Sequence, residues 1–145
     1  MREIKILLIE DDSDHAEIIT EVLAENGIDK EIILVRDGQQ ALDFFKGIGI
    51  DGIGETQSNI DLIILDLKLP KIDGMDVLKF LKKNTKYCSI PVVILSTSSE
   101  VRTIVEGYKN GVNSFITKPI SYEGFVGKIK TLKEYWLQTC VLPVQ

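Results

Sequence analysis

The stretch from Ile60 to Pro70, Ile-Asp-Leu-Ile-Ile-Leu-Asp-Leu-Lys-Leu-Pro, narrows the folds open to this chain more than any other. Its apolar run from Leu62 to Leu65 is far shorter than the roughly 18 residues of a membrane span, and too continuous for a strand with one wet face. It predicts a central strand buried on both sides. Asp66 stands where that strand ends. A carboxylate there must be paired, metal-bound or left at an exposed edge, because burying it alone costs several kcal/mol, on the order of a domain's net stability.

The same grammar repeats along the chain. Ile4 to Ile9 predicts a first strand that stops at Glu10-Asp11-Asp12, with Ser13 as helix cap and Ile18, Ile19, Val22 and Leu23 on one helical face up to Asn26-Gly27. Asp12 reads as a first-turn acid favoured by the helix dipole rather than as a ligand. Glu31 to Val35 is a second strand, and Asp37-Gly38 leads into a helix burying Ala41, Leu42 and Phe45. Lys46 to Asn59, with Gly47, Gly49, Gly52 and Gly54, holds no period. A phosphate-cradling loop would enter a helix beside a lysine; this one does neither, and reads as a surface insertion.

After the central strand, Asp73-Gly74 turns into a helix with Val77, Leu78 and Leu81 buried. Pro91 to Leu95 forms another apolar strand, ending in Ser96-Thr97-Ser98-Ser99. Val101, Ile104, Val105 and Tyr108 then recur at i, i+3, i+4 and i+7 up to Gly111. Ser114 to Thr117 is the last strand, stopped by Lys118-Pro119, and Phe125, Ile129, Leu132 and Trp136 line a final helix. Alternating strands and helices predict an α/β domain: a doubly wound parallel sheet with right-handed crossovers and helices on both faces. The 145 residues, 44% of them hydrophobic, suffice for one such domain, and a second is not expected. A net charge of −5 argues against binding nucleic acid through its phosphates. No apolar run is long enough for a membrane span, so a soluble cytoplasmic protein is expected. Cys88 and Cys140, far apart, read as free thiols.

Doubly wound sheets hold ligands outside the carboxyl ends of their strands. Here those ends carry Glu10 and Asp11, Asp66, Ser96 and Thr97, and Lys118. If the first and third strands are neighbours, roughly 4.8 Å apart, three carboxylates crowd one rim and repel unless protonated or bridged by a cation. Oxygen-only ligands point to a hard ion such as Mg²⁺, which keeps sites for phosphate oxygens. Lys118 and the Ser96 hydroxyl add donors. The predicted site suits a phosphoryl group.

Glu10-Asp11, Asp66 within Leu65-Asp66-Leu67-Lys68-Leu69-Pro70, Asp73-Gly74, Ser96-Thr97 and Phe115-Ile116-Thr117-Lys118-Pro119 together resemble the receiver domains of two-component response regulators over nearly the whole chain. The resemblance implies the flavodoxin-like strand order 2-1-3-4-5 with five helices. It implies Asp66 as acceptor of a phosphoryl group from a sensor histidine kinase, and Mg²⁺ held by Asp11, Asp66 and the Lys68 carbonyl with help from Glu10. Ser96 and Lys118 would hold the phosphate. Ser96 and Phe115 match the positions of the family's switch residues, and Lys118-Pro119 matches a peptide bond commonly cis in the family. A lone His15 on the first helix reads as solvated.

The tail from Tyr135 to Val144 is more apolar than a free end should be. It resembles the C-terminal extension of small receivers that serve cyanobacterial phytochrome kinases. Packing on the domain's own helices and a homodimer seam are equal readings of it, so the expectation is a receiver over residues 1–137 and a tail over 138–145 free for a dimer or partner contact. The resulting expectation is a stand-alone receiver, a switch or phosphorelay shuttle that signals to a downstream protein by contact and does not work as a conventional enzyme. A phosphatase of the haloacid-dehalogenase type would want an acid where Lys68 stands. A flavin carrier would place its phosphate against the acids after the first strand. A receiver that binds partners without phosphorylation would not need the full set of site residues.

Overall fold

Leu62–Asp66 (β3) pairs in parallel with Ile4–Ile9 (β1) in the computed structural model, which describes residues 3–25, 30–47 and 60–143. The register joins Ile6 to Leu62 and Ile9 to Leu65, so Glu10 and Asp66 follow side by side at the same end of the sheet. Lys30–Val35 (β2) flanks β1; Val92–Ser96 (β4) flanks β3, and Ser114–Thr117 (β5) closes the far edge. The order β2-β1-β3-β4-β5, all parallel, is the expected flavodoxin-like one.

Every residue of β3 and β4 is buried. The pleat sends alternate side chains to opposite faces. Leu7, Ile9, Ile63, Leu65, Val92 and Ile94 meet helices Gly38–Phe45 (α2) and Gly74–Lys83 (α3). Ile6, Leu8, Leu62, Ile64, Val93 and Leu95 meet Ser13–Ala24 (α1) and Tyr122–Lys133 (α5). Each fully buried Leu or Ile stabilises the fold by about 1.5–3 kcal/mol relative to exposure. The central strands therefore fix the position of their own polar ends.

Several local expectations change. The cap of α1 is Asp12, whose carboxylate accepts from the N–H groups of Asp14 and His15 at 2.9 and 3.1 Å, and not Ser13. An ionised acceptor at a helix N-terminus satisfies two orphan donors and complements the dipole. Helix α4 (Val101–Lys109) forms as its periodicity predicts, but Val101, Val105 and Tyr108 are 74%, 44% and 51% exposed. Its only buried residue is Gly107, where an added Cβ would come within 3.3 Å of the Phe115 ring. The helix thus approaches the sheet on its small side and turns Val101, Val105 and Tyr108 outward, with Ile104 half-buried. No peptide bond is cis among the described residues, so Lys118-Pro119 is trans, the form favoured by about 0.5–1 kcal/mol in X-Pro bonds.

The chain runs from α5 straight into a π-helical segment, Glu134–Thr139, with the Cys140 N–H donating to the Tyr135 carbonyl at 2.7 Å. Leu137 is buried and Trp136 half-buried against the α1/α5 layer, whereas Tyr135 and Val141 are exposed. Part of the tail's apolar surface is therefore covered by the domain itself. Both cysteines are free, as expected. No helix is long and apolar enough to cross a membrane among the described residues. The Asn26-Gly27 signal and most of the 46–59 insertion lie outside the described residues.

Candidate phosphoryl and metal site

Three strand ends deliver the site. β1 runs into Glu10 and Asp11, β3 ends on Asp66, and the chain after β5 brings Lys118 back over both. The Lys118 N–H donates to the Ser96 carbonyl at 2.7 Å, fastening the β5 exit to the end of β4. Carboxylate oxygens of Glu10, Asp11 and Asp66 all lie within 4.8 Å of one another. Glu10 is 1% exposed and Asp66 7%, while Asp11 faces solvent.

The Lys118 ammonium is buried among these acids, donating to Glu10 Oε1 at 2.7 Å and to Asp66 Oδ2 at 3.2 Å. One cation beside three acids leaves the cluster short of positive charge. Burial, reinforced by the neighbouring Asp66 and only partly offset by Lys118, pushes the Glu10 carboxyl up to about 7. Three convergent oxygen donors with that deficit fit a hard divalent ion, which would draw Glu10 back to its charged form.

Asp66 Oδ1 accepts from the Lys68 N–H at 3.2 Å, so the loop after β3 folds back on the carboxylate. That places Lys68 in the loop on which its carbonyl is expected to serve, with its side chain exposed. Gly74 lets α3 start close by: its N–H donates to the Leu67 carbonyl at 2.9 Å, and a Cβ there would stand 2.3 Å from the Asp66 carbonyl oxygen. Lys71, in the same loop, has a φ of 70°, uncommon for a side-chain-bearing residue. It is held by an ion pair with Asp37 at 3.6 Å, while the Gly38 N–H donates to the Pro70 carbonyl. In the sequence Asp37 reads only as the lead into α2, and nothing there marks its tether to Lys71.

Ser96 is fully buried, and its hydroxyl oxygen accepts from the Ser98 N–H at 3.1 Å, which leaves the O–H as a donor. A cleft of about 540 Å³ opens beside it, lined by Lys68, Asp73, Thr97 and Glu100 among others. Phe115 lies two residues before the end of β5, half-buried, on the side where Gly107 of α4 packs; its N–H donates to the Tyr108 hydroxyl at 3.1 Å. It is a neighbour of the cleft's helix and not a member of the acid cluster.

His15 departs most from expectation. It is half-buried, its Nδ1 lies 3.0 Å from the Lys118 Nζ, and its ring packs on Phe125 with centroids 5.0 Å apart. The signal was present in the sequence: His15, Ile19, Val22 and Leu23 share one helical face, and the last three of these are buried.

Residues 6–130 match the response regulator receiver domain family. The chain belongs to that family. This receiver is similar to response regulator Rcp1 of Synechocystis sp., with 36% identity over 138 residues, or 95% of this chain and 92% of Rcp1. Among solved structures, the phosphorylated cyanobacterial phytochrome response regulator RcpA superposes with a TM-score of 0.92 at 37% identity, covering 99% of this receiver and 100% of RcpA. The Mn²⁺-bound form of Rcp1 superposes with a TM-score of 0.90 at 35% identity, covering 97% and 99%. These likenesses run through the α5 extension as well as the sheet.

Proposed function

We propose that this receiver is a response regulator domain that takes a phosphoryl group onto Asp66 from a sensor histidine kinase of the phytochrome type. The observation that carries the reading is the convergence of Glu10, Asp11 and Asp66 with the Lys118 ammonium at one end of the sheet. Likeness to a phosphorylated phytochrome regulator and to a Mn²⁺-bound one supports both the chemistry and the kinase class.

In this account an Asp66 carboxylate oxygen attacks phosphorus, the bond to the kinase histidine breaks, and the imidazole leaves with the bonding electrons. Asp11, Asp66 and the Lys68 carbonyl, with Glu10, would hold Mg²⁺. When bound, that ion neutralises charge on the transferring oxygens. Lys118 pairs with one phosphoryl oxygen, and the Ser96 O–H donates to another. The protein contributes mainly position, because the acids and the lysine are fixed by buried strands.

Phosphorylation adds about −1.5 to −2 charges. We infer that Ser96 moves toward that charge and that Phe115 turns inward behind it. The apolar side chains exposed on α4 and Tyr135 beyond α5 then form the surface that a downstream protein, or a second copy of the chain, reads. The reaction is one phosphoryl group per molecule, so the protein acts as a cytoplasmic signal carrier and not as a turnover enzyme. Transfer from a radiolabelled phytochrome-type kinase tests the assignment. Label should pass to the wild type and not to Asp66→Asn; equal labelling of both would refute it.

A further inference from the structure

A lysine ammonium has three N–H donors and no acceptor. Two of those donors on Lys118 go to Glu10 and Asp66. The remaining neighbour is His15 Nδ1, at 3.0 Å. That separation is favourable only if Nδ1 carries no proton and accepts, since a proton there would point at a cation. Asp12 Oδ2 lies 3.6 Å from the same nitrogen, too far for a hydrogen bond. We propose that His15 is a positioning residue for phosphorylation, its neutral imidazole accepting the third ammonium proton and holding Lys118 aimed between Glu10 and Asp66. The inference rests on the phosphoryl-accepting reading given above and adds to it a residue from outside the strand ends.

The imidazole is well placed for this task. It is anchored twice: on its own helix its backbone N–H donates to the Asp12 cap, and across the layer its ring lies tilted on Phe125 of α5. Helices α1 and α5 pack on each other across that face of the sheet, so the ring position is set by the same layer that buries Ile19 and Ile129. The ammonium is thereby given an acceptor on each of three sides. A flexible four-carbon side chain that would otherwise sample several rotamers is kept in one geometry before the phosphoryl group arrives.

Two variants separate acceptor from packing. His15→Phe keeps a ring against Phe125 and removes the acceptor; His15→Gln supplies a side-chain carbonyl in its place. With Mg²⁺ and acetyl phosphate, the rate of phosphorylation at saturating donor should fall about tenfold in His15→Phe and recover to within about twofold in His15→Gln. In the unphosphorylated protein, the side-chain ammonium signal of Lys118 in nitrogen-15 NMR should be sharp in the wild type and in His15→Gln. In His15→Phe it should shift and broaden by exchange with water. An ammonium signal unchanged by His15→Phe, or one already lost to exchange in the wild type, overturns the proposal, as does a His15→Phe rate equal to that of the wild type. A wild type that accepts no phosphoryl group would refute the phosphoryl-accepting reading instead, while the ammonium signal would still decide whether His15 holds Lys118.

Discussion

Raising the pH of the protein in the presence of a chelator should destabilise it, because Glu10 is harder to ionise in the fold than in the unfolded chain. The cause is burial first and the nearby Asp66 second, with Lys118 opposing both. A carboxyl raised from 4.5 to about 7 binds its proton more tightly in the native state. Between those values the native state carries the extra proton, so stability is fully present below about 4.5 and is lost as pH rises through about 7. At about 1.36 kcal/mol per pKa unit, the loss is on the order of 3 kcal/mol. Urea denaturation at fixed ionic strength, followed from pH 4.5 to 8 in wild type and Glu10→Gln, isolates this group from the other carboxylates. The wild-type stability relative to Glu10→Gln should fall across the window. Adding Mg²⁺ should reverse the fall most strongly at the alkaline end, where a bound ion no longer has to displace a proton. A wild-type curve parallel to that of Glu10→Gln, or one rising relative to it, would refute the view that Glu10 is an overcrowded member of a cation site.

Three further outcomes follow from the same geometry. Lys118→Met removes the cation that pairs with two buried carboxylates, and thermal or urea unfolding near neutral pH should show a loss of about 3–5 kcal/mol, with phosphorylation abolished. Gly74→Ala places a methyl 2.3 Å from the Asp66 carbonyl oxygen; it should destabilise by about 1–3 kcal/mol and perturb Asp66 amide resonances more than those of β5. Asp12→Ala removes the α1 cap that accepts from Asp14 and His15, for a loss of about 1 kcal/mol in the unfolding midpoint analysis, with the acid cluster still binding Mg²⁺.

The sheet was readable because its strands are buried on both faces. Continuous apolar runs such as Leu62 to Leu65, between Asp61 and Asp66, and Val92 to Leu95, between Pro91 and Ser96, are too short for helices and read as buried strands, and their polar ends fall together by topology. The rim of Glu10, Asp11, Asp66 and Lys118 followed from that topology. Helix α4 shows where the reasoning thins. Its period identifies the helix, yet most of the apolar stripe faces outward, since Gly107 rather than a large side chain meets the sheet. Periodicity reports that a helix has a face, not that the fold covers it. By residue type alone His15 reads as solvated, whereas its spacing from Ile19 and Val22 puts it on the inner face of α1. The π-helical segment at Glu134–Thr139 has no composition cue of its own, and neither does the tether from Asp37 to Lys71, which joins residues far apart in the chain.

Phosphorylation with acetyl phosphate and Mg²⁺, followed by borohydride reduction and peptide mass spectrometry, goes most directly to the role of the strand-end carboxylate. Reduction of an acyl phosphate converts the aspartate to homoserine, and that product should appear at position 66 alone and be absent when Mg²⁺ is chelated. Homoserine at Asp11 or Asp73, or a phosphoryl group stable to reduction on Ser96 or Thr97, would contradict it.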